Sequence, residues 1–185
     1  MPAEPAAWSA AQRRLHWWTA ALVFLAAPLG FLMVAVPLAD LLTKFLLYQL
    51  HKSIGIAVLL LVAARLGQRA VRGRPASDEA VPAAQRRLAA AMHGLLYALL
   101  IATPVLGYLV AATAPAQVPT FFLLLINIPH LLATDAGRYE LLLPIHRAAA
   151  IALVVLALGH AAAALDHHRR GRATLARMWR GARDG

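Results

Sequence analysis

The sequence predicts an all-α protein: a four-helix transmembrane bundle running up, down, up and down, with both termini cytoplasmic. Three observations predict it. Of the 185 residues, 61% are hydrophobic and only 14% charged, too few charges to clothe a soluble globule of this size. Four apolar runs, residues 15–36, 45–66, 88–112 and 141–165, each approach or exceed the roughly 20 residues a helix needs to cross about 30 Å of hydrocarbon. Basic residues gather in alternate connections, which orients the bundle.

Each element follows in order within a single membrane domain. Run 15–36 is too long for a signal-peptide core and precedes no soluble domain, so it reads as a span. Runs 45–66, 88–112 and 141–165 are rich in Leu, Ala and Val without the alternation of barrel strands. A bilayer demands that their backbone groups pair within the segment, so they read as helices. The polar, Pro- and Gly-containing stretch 71–87 is a connector. Between the third and fourth runs, TFFLLLINIPHLL (residues 120–132) is apolar, too short to span and punctuated by Pro119 and Pro129. It reads as an interfacial or cap-forming segment over the outer mouth of the bundle.

Arg13 and Arg14 precede the first helix. Arg65, Arg69, Arg72, Arg74, Arg86 and Arg87 surround the second connection, and Arg169, Arg170, Arg172, Arg177, Arg180 and Arg183 follow the fourth helix. All fall on one side of an alternating topology. The other side mixes Lys44, Lys52, Arg138 and Arg147 with Asp40, Asp135 and Glu140. The net charge of +10 is thus a topology and lipid-headgroup signal, and nucleic acid is not the expected partner. With no cysteine, disulfides, thiolate metal sites and iron–sulfur clusters are excluded.

Eight histidines stand out in so apolar a chain, because an ionisable ring inside a membrane is costly and points to function. At 1.5 Å of rise per residue along alternating helices, four of them sort into two depths. His51 and His146 lie towards the outer side, His16 and His160 towards the inner side. His146 and His160 are fourteen residues apart, nearly four turns and about 21 Å, so both rings leave one face of their helix. Each interhelical pair could hold one iron, and two imidazoles suit the axial positions of haem. Gly30, Gly55, Gly94 and Gly107 would leave room for a flat porphyrin. Arg13, Lys52 and Arg147, next to the proposed ligands, could pair with haem propionates or snorkel to the interface. Trp17 and Trp18 belong to an aromatic belt, or flank the inner porphyrin. His93, at the depth of His160, competes with His16 as a ligand or contacts a propionate. His167 and His168 read as interfacial, and His130 as a loop histidine.

The motifs LHWW from Leu15, HKSIG from His51, HGLLYALLIATPVLG from His93 and HRAAAIALVVLALGHAAAALDHH from His146 resemble the bacterial cytochrome b-561 family, over about Gln12 to Met178. The resemblance implies a dihaem protein of the bacterial inner membrane that exchanges electrons with ubiquinone or menaquinone. Two haem b groups would be ligated by His16 and His160 on the inner side and by His51 and His146 on the outer side. Proteins similar to this one include a superoxide oxidase that reduces ubiquinone, and cytochrome subunits of hydrogenases and formate dehydrogenases. The expected function is electron transfer from an outer donor, superoxide or another one-electron reductant, to quinone, with His93 and His167 as quinone-site candidates. Lys52, Arg147, Lys44 and Arg138 would attract an anionic donor. The outer connection is greasier than the resemblance leads one to expect. The rivals are a haem-bearing anchor for a partner enzyme subunit and a histidine-lined metal transporter, the latter disfavoured by the lack of intramembrane Asp or Glu.

Overall fold

A computed structural model describes residues 8–73, 75, 81–172 and 174–179. Arg74, Arg180 and Arg183, read above as topology signals, lie outside the described residues, as does part of the polar connector. Four long helices dominate: α1 (Ala10–Ala35), α2 (Leu41–Arg72), α3 (Ala83–Thr113) and α4 (Ala136–Arg169), followed by a short α5 (Thr174–Trp179). All four long helices are apolar and long enough to cross a membrane. All four begin five or fewer residues before their apolar runs, and α2, α3 and α4 also end beyond them; polar caps start three of the four. Ser9 and Gln12 form a reciprocal capping box on α1, and Asp40 and Asp135 accept from the first turns of α2 and α4. Each satisfies an amide that the helix leaves unpaired. Gly73, at φ 68°, ends α2 in the left-handed conformation a side chain would resist.

The helices pack in a ring, α1 on α2, α2 on α3, α3 on α4 and α4 back on α1. Both ends of this ring are tied. At the terminal end, Gln12 donates to the Gly73 carbonyl (3.1 Å), Arg172 reaches Gln85, and the Trp17 indole donates to the Met178 carbonyl of α5 (3.0 Å). At the opposite end Lys44 donates to the carbonyls of Met33, Val34 and Val36, closing α1. Few side chains are buried. Val23, Ile54, Val58, Val62, Leu100 and Leu153 form the core cluster, whereas Phe31, Val155 and Leu158 are 69%, 60% and 54% exposed. Such an outward apolar surface belongs in lipid, whose tails are as apolar as the side chains of a protein core.

The apolar segment between α3 and α4 is a β-hairpin, β1 (Thr120–Phe122) and β2 (Ile126–Ile128), antiparallel with Phe121 opposite Asn127. Its tight turn puts Leu123 and Leu124 at φ 54° and 60°, and the Leu125 amide closes it on the Phe122 carbonyl. The hairpin does not float above the bundle. Two side chains one turn apart on α2 act as a substitute strand along its free edge. Gln49 donates to the Pro119 carbonyl and accepts from the Phe121 amide. Ser53 donates to the Phe121 carbonyl and accepts from the Leu123 amide. Non-helical backbone survives at this depth because protein groups satisfy it. From α3, the Tyr108 hydroxyl clamps the Pro129 carbonyl and the Leu131 amide. We call this the hairpin end.

Candidate functional site

The four long helices share one register. Steps of seven residues, about two turns, carry α1 through His16, Val23 and Gly30, and α2 through Arg65, Val58 and His51. The same steps carry α3 through His93, Leu100 and Gly107, and α4 through His160, Leu153 and His146. The middle residue of each trio is buried: Val23 7%, Val58 4%, Leu100 7% and Leu153 5% exposed. An apolar plug thus separates two layers, one at the hairpin end (Gly30, His51, Gly107, His146) and one at the terminal end (His16, Arg65, His93, His160).

In the hairpin-end layer the His51 and His146 ring centres lie 6.3 Å apart. His51 donates from Nδ1 to the Ala26 carbonyl (3.0 Å) and His146 from Nδ1 to the Thr103 carbonyl (3.0 Å). Each ring therefore keeps its Nε2 lone pair for a metal, held in tautomer and direction by a main-chain acceptor, as metal-ligating histidines require. The glycines explain how the rings get this close. A Cβ on Gly30 would lie 3.1 Å from the His51 ring, and one on Gly107 would lie 3.0 Å from the His146 ring. The two glycines read as room for porphyrin are thus the ones that face the histidine rings.

In the terminal-end layer the His16 and His160 ring centres are also 6.3 Å apart. His93 packs its ring 5.2 Å from that of His160, and the Trp17 ring meets His16 edge-on at 5.3 Å. The fourth member is Arg65, whose guanidinium donates to His16 Nδ1 at 3.2 Å and lies 5.1 Å over the Tyr97 ring. By charge pattern alone Arg65 groups with the arginines that border or occupy the second connection. Its position fourteen residues from His51 on one face of α2 was the signal that it belongs inside the bundle. Gln49, Ser53 and Tyr108, which build the hairpin clamp, also went unnoticed, since nothing in the sequence ties a single Gln or Ser to a distant strand edge.

The remaining predicted residues are more scattered. A Cβ on Gly94 would meet nothing within 4 Å, and one on Gly55 only Pro104, at 3.9 Å. Gly94 is one position off the face of His93 and Gly107, which turns it away from the layer. Arg13 donates to the Trp8 carbonyl within its own helix start. Lys52 donates to the Val118 and Pro119 carbonyls, and Arg138 pairs with Asp135 at 3.1 Å. Arg147 is exposed. His167 lies near Arg172, 3.4 Å from its guanidinium. His130 bonds to buried Thr120 at 3.0 Å and meets the Tyr108 ring. Burial, and then the Lys52 charge, push its pKa below the usual 6.5.

A metal–imidazole bond of about 2 Å, plus roughly 1.1 Å from ring nitrogen to ring centre, puts two trans imidazoles about 6 Å apart. Both 6.3 Å pairs meet this requirement, while the His93–His160 pair at 5.2 Å is too close. The residues present therefore fit axial ligation of haem iron. An all-helical bundle with four helices able to cross a membrane and paired histidines inside it defines a class, the membrane-embedded haem-b cytochromes. The chain belongs to the prokaryotic cytochrome b561 family, whose model matches residues 7–181. It is similar to cytochrome b561 homolog 2 of Escherichia coli (strain K12), with 29% identity over 153 residues, covering 83% of this chain and 80% of that protein. The family binds haem b, and the chain is an integral membrane protein of haem-b electron transfer.

Proposed function

We propose that the chain holds two b-type haems, one between His51 and His146 and one between His16 and His160. It would pass single electrons from a donor at the hairpin end, outside the bacterial inner membrane, to quinone at the terminal end, in the cytoplasmic half. The observation that carries this reading is the repetition of one ring spacing, 6.3 Å, in two layers fourteen residues apart. Bound haem supplies a one-electron iron couple. The protein's own residues do the rest. The carbonyls of Ala26 and Thr103 aim the hairpin-end ligands. The plug of Val23, Val58, Leu100 and Leu153 keeps water and ions from passing between the layers.

Quinone reduction takes up two protons, and His93 and His167 are the titratable rings beyond the terminal-end ligands suited to deliver them. Superoxide remains the proposed donor. Arg147 is the cation best placed to attract it, since Lys44, Lys52 and Arg138 are already engaged with carbonyls or a carboxylate. The test is purification followed by a dithionite-reduced minus air-oxidised spectrum, then reoxidation with a soluble ubiquinone analogue. A b-type α-band that the quinone bleaches supports the reading; its absence removes it. The second reading, an anchor for a partner enzyme subunit, is favoured by one feature. The hairpin tip is apolar and open, with Leu123 60%, Leu125 83% and Ile126 56% exposed. Co-purification with a larger redox enzyme, and no quinone reduction without it, would establish that alternative.

A further inference from the structure

The two layers share a register but differ in electrostatics, and the difference centres on Arg65. In the hairpin-end layer both ligands donate Nδ1–H to main-chain carbonyls. Such bonds make an imidazole a stronger electron donor and favour the oxidised metal. In the terminal-end layer, a guanidinium occupies the corresponding position beside His16. It is half-buried, backed by the Tyr97 ring and, at 6.0 Å from that ring, by Arg69. Among the described residues no carboxylate pairs with it.

A metal on His16 Nε2 leaves the ring proton on Nδ1, so the Arg65 N–H must release that nitrogen. Tyr97 keeps the cation within about one ring's width, where the anionic carboxylates of haem are its natural acceptors. With or without that pairing, a fixed positive charge beside the site favours the added electron, and strongly so in an interior of effective dielectric about 20. Resting on the two-haem reading above, we propose that Arg65 is a positioning residue. It raises the reduction potential of the terminal-end haem above that of the hairpin-end haem, so that an electron leaving the hairpin-end iron reduces the terminal-end iron. No proton moves in this step.

The experiment is an optical redox titration of the purified protein, with the two transitions assigned by His146→Ala, which should delete the hairpin-end one. Wild type is expected to show the terminal-end haem at the higher potential. Arg65→Gln should weaken its reduction equilibrium at least tenfold, a fall of about 59 mV for one electron, with the hairpin-end transition in place. Arg65→Lys should restore most of the loss. An unchanged or raised terminal-end midpoint in Arg65→Gln overturns the proposal; an imidazolate His16 paired with Arg65 would give that result. Loss of the terminal-end haem from both variants overturns it too, making Arg65 a structural support. A wild type with fewer than two haems would instead refute the two-haem reading.

Discussion

Gly107→Ala isolates the ligand geometry from the fold. The added Cβ would lie 3.0 Å from the Cε1 atom of His146, whereas carbon atoms settle at about 3.5–4.0 Å, so something must yield by about 0.5 Å. The helix itself stays formed, because alanine in a helix interior is favoured over glycine by up to about 1 kcal/mol. The ring must retreat, and its 3.0 Å bond to the Thr103 carbonyl then stretches towards the roughly 3.5 Å at which a hydrogen bond has lost its value. Losing such an outer contact to a metal ligand typically lowers affinity about 10–100-fold. The assay is the haem-to-protein ratio after purification, with pyridine to release and quantify the cofactor. Gly107→Ala should lose the hairpin-end haem and keep the other. Gly94→Ala is the control, since its Cβ would meet nothing within 4 Å, and it should keep both. A Gly107→Ala protein with full haem content and an unaltered spectrum would refute the reasoning.

Three further outcomes follow from the same geometry. Gly30→Ala places a Cβ 3.1 Å from the His51 ring and should deplete the same haem as Gly107→Ala, seen as loss of the same spectral component. Gln49→Ala strands the Phe121 amide and leaves the Pro119 carbonyl only its longer bond from Lys52, and Ser53→Ala strands the Phe121 carbonyl and the Leu123 amide, at about 1–3 kcal/mol per buried unpaired group. Hydrogen exchange at residues 121 and 123 should accelerate in both, while exchange in mid-α4 should not. Hairpin docking should also depend on pH through His130, whose pKa is lowered on folding. A depressed pKa contributes stability that is complete above the unfolded value of 6.5 and is lost as pH falls through the folded value. Exchange at residue 121 should therefore rise below about pH 6.5 beyond its intrinsic pH dependence, and His130→Gln should remove that excess rise.

Much of this was legible from spacing alone. Helices are periodic, so fourteen residues between His146 and His160 already put both rings on one face, and alternating helix direction matched them to His51 and His16. The terminal-end layer was half-seen: His93 was recognised at the right depth, but Arg65 was absorbed into the positive-inside pattern because composition cannot tell an inward arginine from a loop arginine. Gly94 matches the layer in depth but follows His93 by one position, about 100° around α3. The hairpin was invisible for a different reason. Tight two-residue turns usually announce themselves with Asn or Gly, and here Leu123 and Leu124 occupy the positive-φ positions. What holds the strands is long-range contact with Gln49, Ser53 and Tyr108, which no local pattern encodes.

Haem content across two ligand variants tests the central claim, two separate bis-histidine sites on one short bundle, most directly. Purified wild type should carry two b-type haems per chain, with His146→Ala keeping only the terminal-end haem and His16→Ala only the hairpin-end haem, each single-haem protein giving a distinct component of the wild-type difference spectrum. A wild type with one haem per chain, or a His146→Ala or His16→Ala protein that retains two, would contradict it.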